Sequence, residues 1–422
     1  MKMNRGVTVG LAVLLIAVVV AVVSYVSRSP AAAPREAPQL PVGPMVGHVT
    51  DTTATLWAYG GPDARLQVSW QSDQGGPSAA RTVDMPSRME DHHAAKVTLT
   101  GLRPDTTYRY AISSGAPSDP RLAGGFTTAP PPGRAARFKI AVASCMKSHR
   151  NHSSFYLLMA ERPAFQLLLG DCVYADTTDH GEIWFAHLRQ RRVPEFAAAL
   201  RHIPTYATWD DHDFADDASD GTAPGKDDSL RAFNELWANP SAGIPDVPGV
   251  FFRFSRADVD FFVLDGRYHR TPNDAPNDDD KRMLGDGQFR WLADGLVASK
   301  AAFKVIAQGS VLTLDEVDGW LTFDFARGRI FDTIATNRIS GVLWLSGDLH
   351  ESLVKVHTRS ATGFYDLYEI ISSGIANSKT PSFATLEFDT TLDDPTVRIV
   401  IIHGDATVRY DRTVRRSELQ IR

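Results

Sequence analysis

The sequence predicts a two-part exported protein: a small β-sandwich, then a larger α/β body, both behind one N-terminal membrane-spanning helix. Three observations carry this. From Pro44 to about Thr128, short runs alternate apolar and polar residues with turn residues between them, which is sandwich spacing. Beyond a Pro-rich break, "TTAPPPGRAAR" (Thr127 to Arg137), near-continuous apolar runs alternate with helical stretches, the pattern of a sheet buried on both faces. Gly6 to Val26 is apolar throughout, about 21 residues, enough to cross a bilayer as one helix.

Taken in order, the N-terminal helix comes first. Lys2 and Arg5 precede it, which places that end in the cytoplasm and the body outside. A cleaved signal peptide is the competing reading; Ala31 to Ala33 would supply its site, but Pro34 hinders cleavage there. Arg5 stands alone, so no twin-arginine signal is present. Residues 1–28 are therefore read as an anchor and the Pro/Ala-rich residues 29–43 as an extended linker. The sandwich is expected over 44–130. Its strands are "TATLWAY", "RLQVSWQ", "AKVTLTGL" and "TYRYAIS". The body follows over 134–422. Its apolar runs start at Phe138, Phe165, Pro204, Val259, Phe303 and Gly341, with helices expected at Gly181–Arg191, Ser229–Ala238 and Gln288–Ser299. From about Ala384 the chain reads as β again.

Composition removes several function classes. With 44 Lys plus Arg against 50 Asp plus Glu, and no basic stripe, non-specific nucleic-acid binding is not expected. Two cysteines, Cys145 and Cys172, exclude a disulfide-stapled scaffold but not a single bridge. There is no G-x-S-x-G elbow, P-loop, H-E-x-x-H or C-x-x-C. The acidic "NDAPNDDDK" lacks EF-hand spacing and reads as a solvated loop.

The chemistry is at the strand ends. Successive apolar runs stop at Ser144-Cys145, at Asp171 with Tyr174 one turn on, at Asp210-Asp211-His212-Asp213, at Asp265-Gly266-Arg267, and at Asp348 with His350 two residues on. In open α/β sheets the carboxyl ends of the strands line one crevice. Each residue alone has a plain reading: a helix cap for an Asp, a packed ring for Tyr174, a salt bridge for Arg267. Together they would repel unless cations neutralised them. Oxygen and imidazole donors suit Fe, Mn, Zn, Mg or Ca, and a thiolate with a phenolate favours a ferric-type ion. Two such cations would clamp a phosphoryl group and deliver a metal-bound hydroxide. His212 would then protonate the leaving alkoxide, and Arg267 would fork a non-bridging phosphate oxygen.

The strings "ASCM", "GDCVYAD", "TWDDHDF", "LDGRYHR" and "LSGDLHES", in that order, resemble the alkaline phosphatase D group of calcineurin-like metallophosphoesterases. "GLRPDTTYRYAI" resembles fibronectin type III modules, with Leu102 and Tyr108 packed and the Tyr hydroxyl closing a corner. The resemblance implies a sandwich of two β-sheets flanked by helices. It implies hydrolysis of phosphate mono- or diesters in the cell envelope, with Fe3+ and Ca2+, or alternatively Zn2+ or Mn2+. Carried over by motif, Cys145, Asp171, Tyr174, Asp211, Asp348 and His350 would be metal ligands, Asp171 bridging and Asp210 the alternative to Asp211. Asp216 and Asp217 are second-tier candidates. Cys172 stands where the family usually has an aromatic, and a Cys145–Cys172 bridge would take Cys145 off the metal. Two other function classes stay open: an inactive membrane-anchored scaffold, and a Cys-dependent hydrolase using Cys145 with His149 or His152.

Overall fold

The computed structural model describes residues 42–60, 65–75, 79–84, 94–113, 122–312 and 318–421. The expected anchor and most of the linker lie outside these residues. Among the described residues no helix is long and apolar enough to cross a membrane.

The sandwich has seven strands: β1 (Val42–Val49), β2 (Thr53–Tyr59), β3 (Arg65–Ser72), β4 (Ala79–Asp84), β5 (Ala94–Thr100), β6 (Thr107–Ser113) and β7 (Ala123–Thr127). One sheet runs β1-β2-β5, the other β4-β3-β6-β7. Sequence reading missed β1, β4 and β7; Gly and Pro in β1 and Gly in β7 blur the alternation. Leu56, Val68, Leu99, Leu102, Tyr108 and Phe126 fill the space between the sheets. The expected corner forms: the Arg103 N–H donates to Tyr108 Oη at 2.8 Å.

The body carries β8 (Arg137–Ala143), α1 (Ser154–Ala160), β9 (Phe165–Leu169), α2 (His180–Gln190), α3 (Pro194–His202), β10 (Thr205–Thr208), α4 (Asp211–Phe214) and α5 (Lys226–Leu236). Its middle contains β11 (Phe252–Arg256), β12 (Val259–Val263), α6 (Gly285–Ala298), β13 (Phe303–Ala307) and α7 (Asp324–Thr336). It closes with β14 (Val342–Ser346), β15 (Leu353–His357), α8 (Arg359–Thr362), β16 (Leu367–Ile371), β17 (Ser382–Asp389), β18 (Thr396–His403) and β19 (Val408–Arg415).

These strands form two six-stranded sheets, β10-β9-β8-β17-β18-β19 and β11-β12-β13-β14-β16-β15. Each has a parallel core: β8, β9 and β10 in one, β12, β13, β14 and β16 in the other. Antiparallel strands complete both sheets, β17–β19 in the first and β11 and β15 in the second. Every residue of β9, β10, β13, β14 and β16 is buried, which is why the first four read as near-continuous apolar runs. One core lies between the sheets, with Ile140, Leu167, Val305, Leu343 and Leu386 in it. Truncating one of these to Ala would cost ~2–5 kcal/mol. A second core packs the helices on the outer face of the first sheet and draws in Trp57 and Tyr59 from the sandwich. The parallel strands of both sheets deliver their carboxyl ends to one side.

Candidate metal centre at the strand ends

Backbone hydrogen bonds stitch those ends together. Cys145 N bonds Gly170 O at 3.3 Å, Met146 N bonds Asp171 O at 2.9 Å, and Gly170 N bonds Thr208 O at 3.1 Å. From the second sheet, Gly347 N bonds Gly309 O and Gly374 N bonds Ser144 O. Gly170 is needed twice: its φ is +83°, and a Cβ there would stand 2.5 Å from the Asp210 Cβ. Gly347 is needed for close approach rather than for a turn, since a Cβ would meet Leu169 O at 2.4 Å. The left-handed conformation falls instead on the chemistry-bearing residues: Cys145 (φ 57°), Asp171 (51°), Asp348 (65°) and His350 (57°).

Two donor triads result, sharing one carboxylate. Ligand-capable atoms of Cys145, Asp171 and His350 lie within 4.8 Å of one another, and so do those of Asp171, Asp211 and His212. Asp171 Oδ2 accepts from Tyr174 Oη at 3.0 Å and from Cys145 Sγ at 3.4 Å. Tyr174 Oη lies 2.9 Å from His350 Nε2, and Asn377 Nδ2 reaches both groups, at 2.7 and 3.0 Å. Cys145 Sγ also accepts from Ser373 Oγ at 3.1 Å. Asp348 is on the same edge, its carbonyl 3.7 Å from Cys145 Sγ.

The electrostatics match a cation-binding role. Burial, then repulsion from Asp211, Asp210 and Asp213, pushes the Asp171 carboxyl well above the usual range. Asp348 is pushed up by burial, Asp210 and Asp318. Burial raises the Cys145 thiol, with Asp171 adding to it, and raises the Tyr174 phenol far above its ordinary value. Asp211 is the exception: Arg267, His212 and the Ala218 N–H outweigh burial and hold it low. Asp171 Oδ1, Asp210 Oδ2 and Asp211 Oδ1 are buried with no hydrogen-bond partner. Buried acceptors are ordinarily satisfied. Orphaned oxygens on the shared and flanking carboxylates, among thiol, phenol and imidazole, fit a two-cation centre in donor type and placement.

The other expected residues take different parts. Arg267 is fully buried; its Nε donates to Asp210 Oδ1 at 2.6 Å, its Nη2 to Asp318 Oδ2 at 2.6 Å, and its Nη1 to Ser219 O at 3.0 Å. The fork towards phosphate expected of it is thus replaced by the salt-bridge reading, because two carboxylates have taken the guanidinium. Asp210 is held by that pair, and its backbone N–H bonds Asp213, so Asp211 is the member of the pair inside a donor triad. Asp265 is structural: it accepts from Trp209 Nε1 and the Val250, Arg267 and Tyr268 N–H groups. His212 is partly exposed, with Nδ1 2.5 Å from Asp176 Oδ1 and Nε2 3.6 Å from Asp217 Oδ1, and its ring lies 4.2 Å from that of Tyr174. Asp216 turns its carboxylate to the Asp217 N–H.

Cys145 and Cys172 are both free and buried, so the bridge does not form. The imidazole brought near Cys145 is that of His350, while His152 Nε2 lies 3.1 Å from the Lys147 carbonyl. Residues 278–280 form an exposed acidic turn, as the loop reading expected. Sequence reading missed Asn377, Ser373, Asp176, Asp318 and Lys147, whose Nζ sits 4.1 Å over the Tyr174 ring.

A family model described as PhoD-like phosphatase matches residues 140–420, and one for a domain of unknown function matches residues 37–117. Alkaline phosphatase D of Bacillus subtilis (strain 168) is 24% identical over 350 residues, 69% of this chain. The chain spans 60% of the length of that curated relative. A solved structure of PhoD superposes with a TM-score of 0.74 at 18% identity, covering 90% of this chain and 93% of that one. A purple acid phosphatase from yellow lupin (Lupinus luteus) gives 0.64 at 12% identity, covering 90% of this chain and 75% of that one. The two structural matches establish the shared fold.

Proposed function

The chain belongs to the PhoD-like phosphatase family, and from that premise we propose that it is a metal-dependent phosphoesterase acting outside the cytoplasm on phosphate mono- or diesters. The observation that carries the reading is the shared Asp171 between two donor triads, with orphaned oxygens on Asp171 and Asp211. Cys145, Tyr174 and His350 would hold one cation with Asp171, the set suited to Fe3+. Asp171 and Asp211 would serve the second, joined by Asp348 on the strength of its motif rather than of either triad, a harder oxygen set suited to Ca2+, with Zn2+ or Mn2+ as alternatives. Bound there, the ions supply charge for the phosphoryl oxygens and acidity for an attacking water.

The protein's own groups do the rest. The Asp176 carboxylate holds the His212 ring through Nδ1, and the doubly protonated ring would give its Nε2 proton to the leaving alkoxide. Asn377 orients Tyr174 and His350 together. Arg267 holds Asp210 and Asp318 in place rather than touching the ester. Location in the cell envelope rests on the apolar run from Gly6 to Val26, and a fibronectin-like module on the three-plus-four strand arrangement. A Cys-dependent hydrolase is disfavoured because the Cys145 thiol is fully buried and raised.

The test is elemental analysis of the protein from about Pro41 onward, with hydrolysis of bis-p-nitrophenyl phosphate and p-nitrophenyl phosphate before and after chelation. Stoichiometric metal and chelator-sensitive turnover are expected. Neither metal nor turnover would leave a scaffold protein; turnover lost to thiol alkylation but not to chelation would point to Cys145.

A further inference from the structure

A large groove, about 920 Å³, lies at the opposite end of the parallel strands from the metal centre. Its body wall comprises the start of β8, the residues just before β9 and β10, and Arg256 at the end of β11; its other wall is β6 and β7 of the sandwich. Strands of about five residues separate it from the ligand cluster by about 17 Å.

The charges in this groove do not balance. Its three acids are spent on surface ion pairs: Asp73 with Arg109 at 3.0 Å, Glu387 with Arg137 at 2.7 Å, and Glu161 with Lys139 at 2.7 Å. Arg162, His202 and Arg256 also line it, and among the described residues no carboxylate pairs with them. Arg256 decides the matter. It is only 8% exposed, its Nε is buried with no hydrogen-bond partner, and its guanidinium rests 5.7 Å from the Phe138 ring centroid. Asp105 acts on it only beyond ion-pair distance. A buried guanidinium without an anion is costly to fold around, so its exposed end is set for a partner from solvent.

We propose that this groove is a second, non-catalytic anion site that takes a phosphate group. Guanidinium groups bind phosphate through parallel N–H···O bonds. Two unpaired arginines match the double charge of orthophosphate or of a phosphomonoester better than the single charge of a carboxylate. The ligand is therefore either free phosphate or a molecule ending in a phosphomonoester. The volume beyond Arg256 accommodates the body of the latter.

The test is equilibrium dialysis of the metal-loaded protein with radiolabelled orthophosphate, repeated with phenylphosphonate, which carries the same dianion on an apolar body and resists hydrolysis. Two phosphates per chain are expected. Arg256→Gln should remove one of them, leaving hydrolysis of bis-p-nitrophenyl phosphate and its inhibition by phosphate unchanged. Arg162→Gln, at an exposed position that does not threaten folding, should weaken the same site at least tenfold. Tighter binding of phenylphosphonate identifies a phosphomonoester as the ligand, and equal binding identifies free phosphate. One phosphate per wild-type chain, or two at unchanged affinity in both variants, would overturn the proposal. Neither variant touches the metal centre, so a failure here is distinguishable from a failure of the hydrolase reading.

Discussion

Replacing Arg267 by Gln separates its two readings. The side chain is fully buried and holds Asp210 and Asp318, each at 2.6 Å, with Asp211 at 3.8 Å. Removing one partner of a buried ion pair costs about 3–5 kcal/mol, because the remaining charge has lost its solvent and its counterion. Two carboxylates would be stranded here, beside Asp171 and Asp348, which already feel Asp210. Asp210, raised overall by burial, is pulled down chiefly by Arg267, so its pKa climbs further in the variant. The folded state then keeps a proton that the unfolded chain releases near pH 4. Stability therefore falls as pH rises from about 4 through the raised value, and stays low above it. Urea titration of the metal-free Arg267→Gln protein should show a deficit of about 3–5 kcal/mol at pH 8 and a smaller one at pH 5. A variant within about 1 kcal/mol of the parent at pH 8, with KM for the ester raised tenfold or more, would show that the guanidinium reaches phosphate.

Asp171→Asn should lose the shared ligand, so elemental analysis should find less than half the parent's metal, with turnover down at least 10³-fold, a scale set by the two-ion role. Because burial favours the protonated forms of Asp171, Asp348 and Cys145, metal uptake should release protons; apparent affinity measured by competitive chelator titration should rise with pH from 6 to 8. Gly309→Ala would place a Cβ 2.5 Å from Asp210 Cγ and should cost about 1–3 kcal/mol in urea unfolding. Both cysteines should react with Ellman's reagent once the chain is denatured without reductant, and a reductant should leave the melting temperature unchanged.

The centre was legible where a chemistry-bearing residue directly follows an apolar run. Cys145, Asp171, Tyr174, Asp211, Asp348 and His350 were found because β8, β9, β10 and β14 are buried on both faces and so read as unbroken apolar segments. Ser373 and Asn377 were missed because "LYEII" was not read as a strand; extending the strand-end rule to β16 would have led straight to them. Asp318 follows no strand among the described residues, and its tie to Arg267 exists only in three dimensions. The same holds for the choice Arg267 makes between substrate and carboxylate, since a sequence cannot say which acid stands within 3 Å. The disulfide failed for a local reason: Cys172 Sγ turns to the Gly170 carbonyl, while Cys145 Sγ faces Asp171 and Ser373.

The backbone at these positions adds a separate argument. Cys145, Asp171, Asp348 and His350 all occupy positive φ, a conformation that costs a side-chain-bearing residue roughly 1–2 kcal/mol and that glycine adopts freely. Stability alone would place glycine there. Glycines do stand beside them, at Gly170 and Gly347, so the chain can accommodate that residue at these turns. The strained positions instead carry the thiol, carboxylate and imidazole groups that converge on one point. Hydrogen bonds from Gly170, Met146, Gly347 and Gly374 fix those turns from neighbouring strands of both sheets. Those backbone contacts from both sheets hold the turns in that conformation. The backbone thus aims thiol, carboxylate and imidazole donors at one point, and metal uptake there displaces protons from them.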